Sequence, residues 1–344
     1  MAKAMKKKII GIVVILILAG AAGLFAGYKW LQNYANMPLS IEQETYFTLP
    51  AGTGRTGLAQ LLAEKHIVED IKPFPWLLKI KPELTGFKAG TYKLAPGMSI
   101  KDLLLLLSSG KEAQFSIRFI EGTRMKDWLP LLKEAPYLNH TLKDLTDKDI
   151  AELLNINDPQ HPEGWLYPDT YNYTAGTTDI SLLKRAHERM KSTIDEIWAG
   201  REENLPYKTP YEMMIMASII EKETALDSER DKVASVFVNR MRIGMKLQTD
   251  PTVIYGMGEQ YNGNITRKDL TTPTDYNTYV IGGLPPTPIA MPGIASLKAA
   301  AHPAKTSYLY FVADGKGGHT FTTNLQSHNQ AVRNYLQILR AGKS

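Results

Sequence analysis

The sequence predicts an α+β protein on a single N-terminal transmembrane helix, with a small α+β module followed by a larger mixed α+β domain around a buried helix. Three observations predict it. An uncharged run of 20 residues stands near the N-terminus, strand–turn–helix patterns begin after residue 44, and a wholly apolar helical segment ends on Glu221.

The run Ile9–Tyr28 carries no charge. As a helix rising about 1.5 Å per residue it spans about 30 Å, the thickness of a bilayer's hydrocarbon core. A cleaved signal peptide is the alternative, but its apolar core is usually shorter, roughly 7–15 residues. Lys3, Lys6, Lys7 and Lys8 precede the run and Lys29 follows it. That bias places the N-terminus in the cytoplasm and the body outside. In a bacterium this is the cell-wall side of the inner membrane. The expected divisions are a cytoplasmic tail over 1–8, a transmembrane helix over 9–28 and a polar spacer over 29–43.

The same five lysines account for the whole net charge of +5, because no acid occurs before residue 30. The remainder is formally neutral, so no concentrated basic face argues for nucleic acid. There is no cysteine, which excludes disulfides, thiolate zinc sites and a thiol nucleophile.

Three strand–turn–helix units follow the spacer. The first is Tyr46–Leu49, a Pro50-Ala51-Gly52 turn and a helix carrying Leu58, Leu61 and Leu62. The second is Thr91–Leu94, a Pro96-Gly97 turn, Ser99 as N-cap, and Ile100–Leu107 with Gly110 as the stop. The third is Ile117–Ile120, a Glu121-Gly122 turn and a helix around Trp128 and Leu132. β-rich alternation, then Gly or Pro, then helical spacing supports each assignment. The first two units suit either a ligand-binding module or a plain spacer domain. Beyond residue 150, His161–Tyr171 reads as an ordered aromatic loop. An amphipathic helix then runs from about Ile180 to Trp198, with Asp179 available to cap it.

Thr209-Pro210-Tyr211-Glu212 specifies a helix start, with Thr at the N-cap, Pro at the first helical position and Glu at the third. Met213 to Ile220 is apolar on every side, the mark of a buried helix. Glu221 stands at its end, and Ser228 with Asp231 opens another helix. A carboxyl at the tip of such a helix loses hydration, which favours the protonated form needed by a general acid. A structural carboxylate paired with Arg230, Arg240 or Lys222 is the competing reading. Glu223 lies roughly 200° around the helix from Glu221, so the two are not expected to form a dyad.

Gln248–Thr252, Tyr276–Tyr279 and Gly283–Pro286 resist assignment to regular structure and suit either a cleft wall or surface loops. Tyr308–Val312 and His319–Phe321 read as a hairpin across a Gly315–Gly318 turn. His302, His319 and His328 lack metal-ligand spacing, so no metal is expected; there is also no P-loop and no GxSxG serine elbow.

At Ala217-Ser218-Ile219-Ile220-Glu221-Lys222-Glu223 the chain resembles the endolytic murein (peptidoglycan) transglycosylases, the MltG or YceG-like family. The resemblance extends over Phe87–Tyr92, Glu163-Gly164, Pro168-Asp169-Thr170, Leu247–Gly256, Tyr276–Tyr279, Gly283–Pro286, His302-Pro303 and the C-terminal hairpin. Thr287-Pro288 stands where members often have Gly-Pro, and Ser327 where many have Glu. The resemblance implies a LysM-like module over 44–113 and a catalytic domain over 114–344, with Glu221 as the catalytic acid/base. Glu163, Gln248, Asp250, Tyr276 and Asn277 become candidates for substrate binding, and no cofactor is implied.

The implied reaction cuts the β-1,4 bond between N-acetylmuramic acid and N-acetylglucosamine in nascent peptidoglycan glycan strands. It leaves 1,6-anhydro ends and terminates elongation. Peptidoglycan synthases (penicillin-binding proteins) are the expected protein partners. A hydrolase using Glu163, Glu223 or Asp250 as a second carboxylate, and a non-catalytic glycan-binding scaffold, are the rival classes.

Overall fold

The computed structural model describes residues 2–143, 145–157 and 160–341. The first residue of the expected tail and the last three of the expected catalytic domain lie outside them. The chain forms two compact units, Met1–Phe115 and Ser116–Ser344.

The first unit opens with helix α1, Ala2–Ala35. Its stretch Met5–Ala35 is long and apolar enough to cross a membrane. The helix also runs through the first part of the expected polar spacer. Leu31, Tyr34 and Ala35 recur at helical spacing and are buried with Leu39 in the first unit's core. Tyr34 donates its hydroxyl proton to the Asp70 carbonyl at 2.7 Å. The segment after Lys29 is therefore docked structure and not a free tether.

Strand β1 (Thr45–Leu49), helices α2 (Arg55–Glu64) and α3 (Phe74–Ile80), strand β2 (Gly90–Leu94) and helix α4 (Ile100–Ser109) complete this unit. β1 and β2 pair antiparallel, with Phe47 opposite Tyr92. Their inward side chains meet Leu58, Leu62, Phe74, Leu77, Leu103 and Leu107. Ser99 and Asp102 form the capping box of α4, and Gly110 ends it at φ 70°. A left-handed C-terminal residue favours glycine because it has no Cβ to clash.

In the second unit β3 (Phe115–Arg118) pairs with β4 (Thr170–Tyr173). Helices α5 (Met125–Glu134), α6 (Asp147–Leu153) and α7 (Asp179–Ala199) accompany them. Thr178, not Asp179, caps α7. The Asp179 carboxylate accepts instead from the Thr141 and Leu142 amides.

Helices α8 (Pro210–Glu223) and α9 (Asp227–Arg242) form the centre of the unit. α8 starts as expected, with Thr209 accepting from the Glu212 amide. α9 begins one residue before Ser228 and has no side-chain cap. Helix α10 (Asp250–Met257) starts on ground expected to be irregular, and helix α11 (Arg267–Thr271) follows it. Asp250-Pro251 explains the first, because proline at the start of a helix removes an N–H that has no helical partner anyway. Helix α12 (Ile294–Ala301), the antiparallel hairpin β5–β6 (Tyr310–Ala313, His319–Thr322) and helix α13 (Leu325–Ala341) finish the chain.

Candidate active site

Every residue from Met213 to Ile220 of α8 is buried. α8 packs against α12, α9, α7 and α10. Helices on several sides account for the absence of a polar stripe in this segment. Ser218 is the one polar member of the run. Its hydroxyl donates to the Ile215 carbonyl at 2.7 Å and accepts from the Ile289 amide at 3.0 Å. That bond fixes the segment 289–293 beside the end of α8.

The same segment meets the Glu121-Gly122 turn. The Gly122 amide donates to the Met291 carbonyl at 2.8 Å, and the Met291 amide donates to the Thr123 carbonyl at 2.8 Å. Lys222 Nζ donates to the Gly122 carbonyl at 3.0 Å. The end of α8, the turn after β3 and the lead-in to α12 are thus tied together at one point.

Glu221 stands at that point. Its side chain is 7% exposed, and Oε2 accepts the Gly293 amide proton at 2.9 Å. Gly293 is the N-cap residue of α12, so the helix end presents partial positive charge to the carboxyl. Arg230 Nη2 lies 3.7 Å from Oε1, an ion-pair separation without a hydrogen bond. The guanidinium is more closely engaged by Asp227. The competing structural reading is thereby half realised: Arg230 is present, but it does not close over the carboxylate.

A second carboxyl, Glu121, occupies the other side of Gly293. A β-carbon at residue 293 would overlap the Glu121 carboxylate. Burial of the carboxyl and then the charge of Glu221 push the Glu121 pKa up, Arg230 opposes the shift and Asp169 adds to it. Sequence reading placed Glu121 only in a turn. The signal was weak: a Glu-Gly turn after a strand is common, and Gly293 gains meaning only once three segments meet.

The five other candidates fall into two groups, neither in polar contact with Glu221 among the described residues. Glu163 is 3% exposed. It accepts from the Met125 amide at 3.1 Å and from the Tyr255 hydroxyl at 3.3 Å. Burial pushes its pKa up to about 8, against those two hydrogen bonds and the Arg124 charge. The Tyr255 ring lies 4.8 Å from that of Tyr276, whose hydroxyl is 2.8 Å from Thr287 Oγ1.

The second group gathers near Glu223. Thr249 donates to the Glu223 carboxylate, and burial raises that carboxyl to about 7. Gln248, in the left-handed region at φ 50°, donates its amide proton to the Thr278 carbonyl. Asp250 accepts from the Tyr279 hydroxyl at 2.6 Å. Asn277 is wholly buried. Its amide group donates to the Asp269, Leu270 and Thr272 carbonyls, and its oxygen accepts from the Tyr279 amide. With these bonds made and no surface exposed, Asn277 holds its loop together. Glu163 is enclosed in the same sense.

The family model described as the YceG-like family matches residues 47–334, which include every part of this site. The chain belongs to the YceG-like family. An endolytic murein transglycosylase of Bacillus subtilis is 32% identical over 305 residues, 84% of each chain. An endolytic murein transglycosylase of Streptococcus pneumoniae is 26% identical over 376 residues, covering 96% of this chain and 65% of that one. A crystal structure of a yceG-like protein from Listeria monocytogenes superposes with a TM-score of 0.53 at 28% identity, over 84% of this chain and 99% of that one. The family membership joins a mixed α+β fold to relatives named for one reaction.

Proposed function

We propose that the protein is an endolytic lytic transglycosylase of peptidoglycan and that Glu221 is its acid/base. The observation that carries this reading is a single well-placed carboxyl. Glu221 ends a buried helix, meets the Gly293 amide and belongs to a chain whose relatives bear the transglycosylase name.

Protonated Glu221 donates its proton to the β-1,4 oxygen joining N-acetylmuramic acid to N-acetylglucosamine. The bond from that oxygen to muramoyl C1 breaks, and positive charge develops at C1. The sugar's own C6 hydroxyl closes onto C1 while its proton passes to ionised Glu221. A 1,6-anhydro ring forms, and the acid is regenerated. Because the nucleophile is already within the substrate, proximity supplies what a second protein group supplies in a hydrolase. The Gly293 amide steadies the carboxylate between the two proton transfers.

The apolar helix α1 supports a single-pass anchor in the inner membrane, with the N-terminal lysines in the cytoplasm and the chain beyond its apolar run on the periplasmic side. A site held near the membrane would meet nascent strands and terminate their elongation. Peptidoglycan synthases are the matching protein partners. The first unit's size and two-stranded sheet support a LysM-like glycan-binding role. Tyr276, Gln248 and Asp250 remain the proposed substrate contacts. Glu163 and Asn277 act by holding the surrounding loops.

The full chain in detergent, given purified peptidoglycan, should release products with anhydromuramoyl ends when these are weighed by mass spectrometry. The Glu221→Gln protein should fold and release none. Intact strands with the wild type would favour a scaffold, and hydrated reducing ends a hydrolase.

A further inference from the structure

A groove of about 420 Å³ lies where the end of α7, the start of α9 and helix α12 meet. α12 lines it with Ala295, Lys298, Ala299 and His302, whose spacing of three, four and seven residues marks one helix face. α7 adds Glu196 and Ile197, and α9 adds Asp227, Arg230 and Asp231.

Two features join this groove to the proposed acid. Arg230 lines it and also stands 3.7 Å from Glu221 through Nη2. Gly293, the N-cap of α12, gives its amide to Glu221, and the next turns of that helix form the groove wall.

The lining has a distinct chemistry. Ile197 and Ala299 are buried and Ala295 is half-buried, so the floor is apolar. The rim carries both signs of charge, Glu196 and Asp231 against Lys298, with His302 at the far end, and all four are exposed. Asp231 accepts the Lys232 amide proton at 2.8 Å. The side chains of Glu196, Lys298 and His302 have no ion-pair or hydrogen-bond partner among the described residues. Arg230 Nη1 meets Asp227, while its Nε has no hydrogen-bond partner. No tyrosine, tryptophan or phenylalanine is among the described lining residues, so the groove offers no aromatic platform for a sugar ring.

We propose that this groove takes the peptide carried by the muramic acid whose bond is cut, which makes the enzyme selective for glycan strands that still bear their peptides. This rests on the reading of Glu221 as the acid/base. A bare glycan strand has little use for a rim of mixed charge. A short peptide with free carboxylates, a side-chain amine and alanine methyl groups matches it: carboxylates toward Lys298, the amine toward Glu196 and Asp231, methyl groups on the apolar floor. Reach agrees as well. The peptide is attached through O3 of muramic acid, two ring bonds from the C1 at which Glu221 acts. Ala295 to His302 spans about 10 Å along α12, the length of about three extended peptide residues.

The test compares two substrates with the full chain in detergent. One is uncross-linked glycan strands with their peptides; the other is the same strands stripped by an N-acetylmuramoyl-L-alanine amidase. Release of anhydromuramoyl ends should give a kcat/KM about tenfold higher on the peptide-bearing strands, the scale of a few partly exposed polar contacts. In Glu196→Gln/Lys298→Gln that ratio should fall by about fivefold. The change should lie in KM, because the peptide is held alike before and during bond breaking. Both substituted residues are exposed, and a thermal melt checks that the double variant is folded.

Anhydro ends formed equally well from both substrates overturn the peptide assignment and leave the function standing. So does an undiminished ratio in the folded double variant. A wild type that releases no anhydro ends from either substrate overturns the function, and the peptide assignment with it.

Discussion

The second unit withdraws two carboxyl groups from water in different ways. Glu163 is enclosed: a main-chain amide and a tyrosine hydroxyl satisfy its oxygens, and burial holds its pKa at about 8. Glu221 is nearly as hidden, yet it is surrounded by charge, with Arg230 on one side, Glu121 on another and a helix N-terminus ahead. Burial by itself therefore does not distinguish the proposed proton donor from a structural acid. The charged neighbours are what differ. The sites are also linked, because the Gly164 amide, next to Glu163, donates to Met291 Sδ in the segment that carries Gly293.

The sharpest way to break this contrast is Glu221→Gln. Removing a general acid/base should cost activity on the order of 10²–10⁴-fold. Product release measured beside a thermal melt would separate lost chemistry from lost folding, and a fall smaller than tenfold would put Glu221 on the same footing as Glu163.

Next in size is Gly164→Ala. Gly164 has φ +82°, and a β-carbon there would stand 2.5 Å from Pro288 Cγ. Backbone strain and overpacking together should cost about 2–4 kcal/mol, visible as a lower midpoint in urea. Because the displaced residues lead into Gly293, activity should fall even where the variant is fully folded.

Glu163→Gln tests the enclosed site through stability. The folded carboxyl keeps its proton up to about pH 8, whereas its ordinary value is 4.5. Between these values the unfolded chain binds fewer protons, so stability falls as pH rises and the loss is complete above the folded pKa. Gln mimics the protonated acid. Its advantage should grow across that window to about 1–3 kcal/mol, checked by melts at several pH values. A constant difference across the window would contradict the enclosed-acid description.

The smallest effect belongs to Tyr255→Phe, which removes the hydroxyl bonded to Glu163 and should lower stability by about 1 kcal/mol. Its activity should follow the loss of folded protein. A selective loss of kcat would mean that the Tyr255–Tyr276 wall reaches the substrate.

Much of this was legible without coordinates where the signal is local. Thr209-Pro210 starts α8 as expected, Ser99 and Gly110 bound α4, and the β5–β6 turn falls among its glycines. Capping and turn chemistry act over a few residues, so a short window contains their cause. Gln248–Thr252 misled because their polar and turn-prone character concealed an Asp-Pro helix start. Leu31, Tyr34 and Ala35 misled because the helix outlasts its apolar run and docks on a core assembled from residues far along the chain.

By itself the sequence determined an apolar helix long enough to cross a membrane, the buried character of α8, the exclusion of thiol chemistry and Glu221 as the acid to examine. Only the tertiary structure decided which groups face that acid. Glu121, Arg230 and Gly293 are separated by tens of residues in the chain, and no periodicity relates them. They meet because Ser218 fixes the 289–293 segment to α8 and Met291 fixes the Glu121 turn to that segment. A carboxyl's burial can be read from its own helix, but its electrostatic surroundings depend on distance in space, which only the folded chain sets.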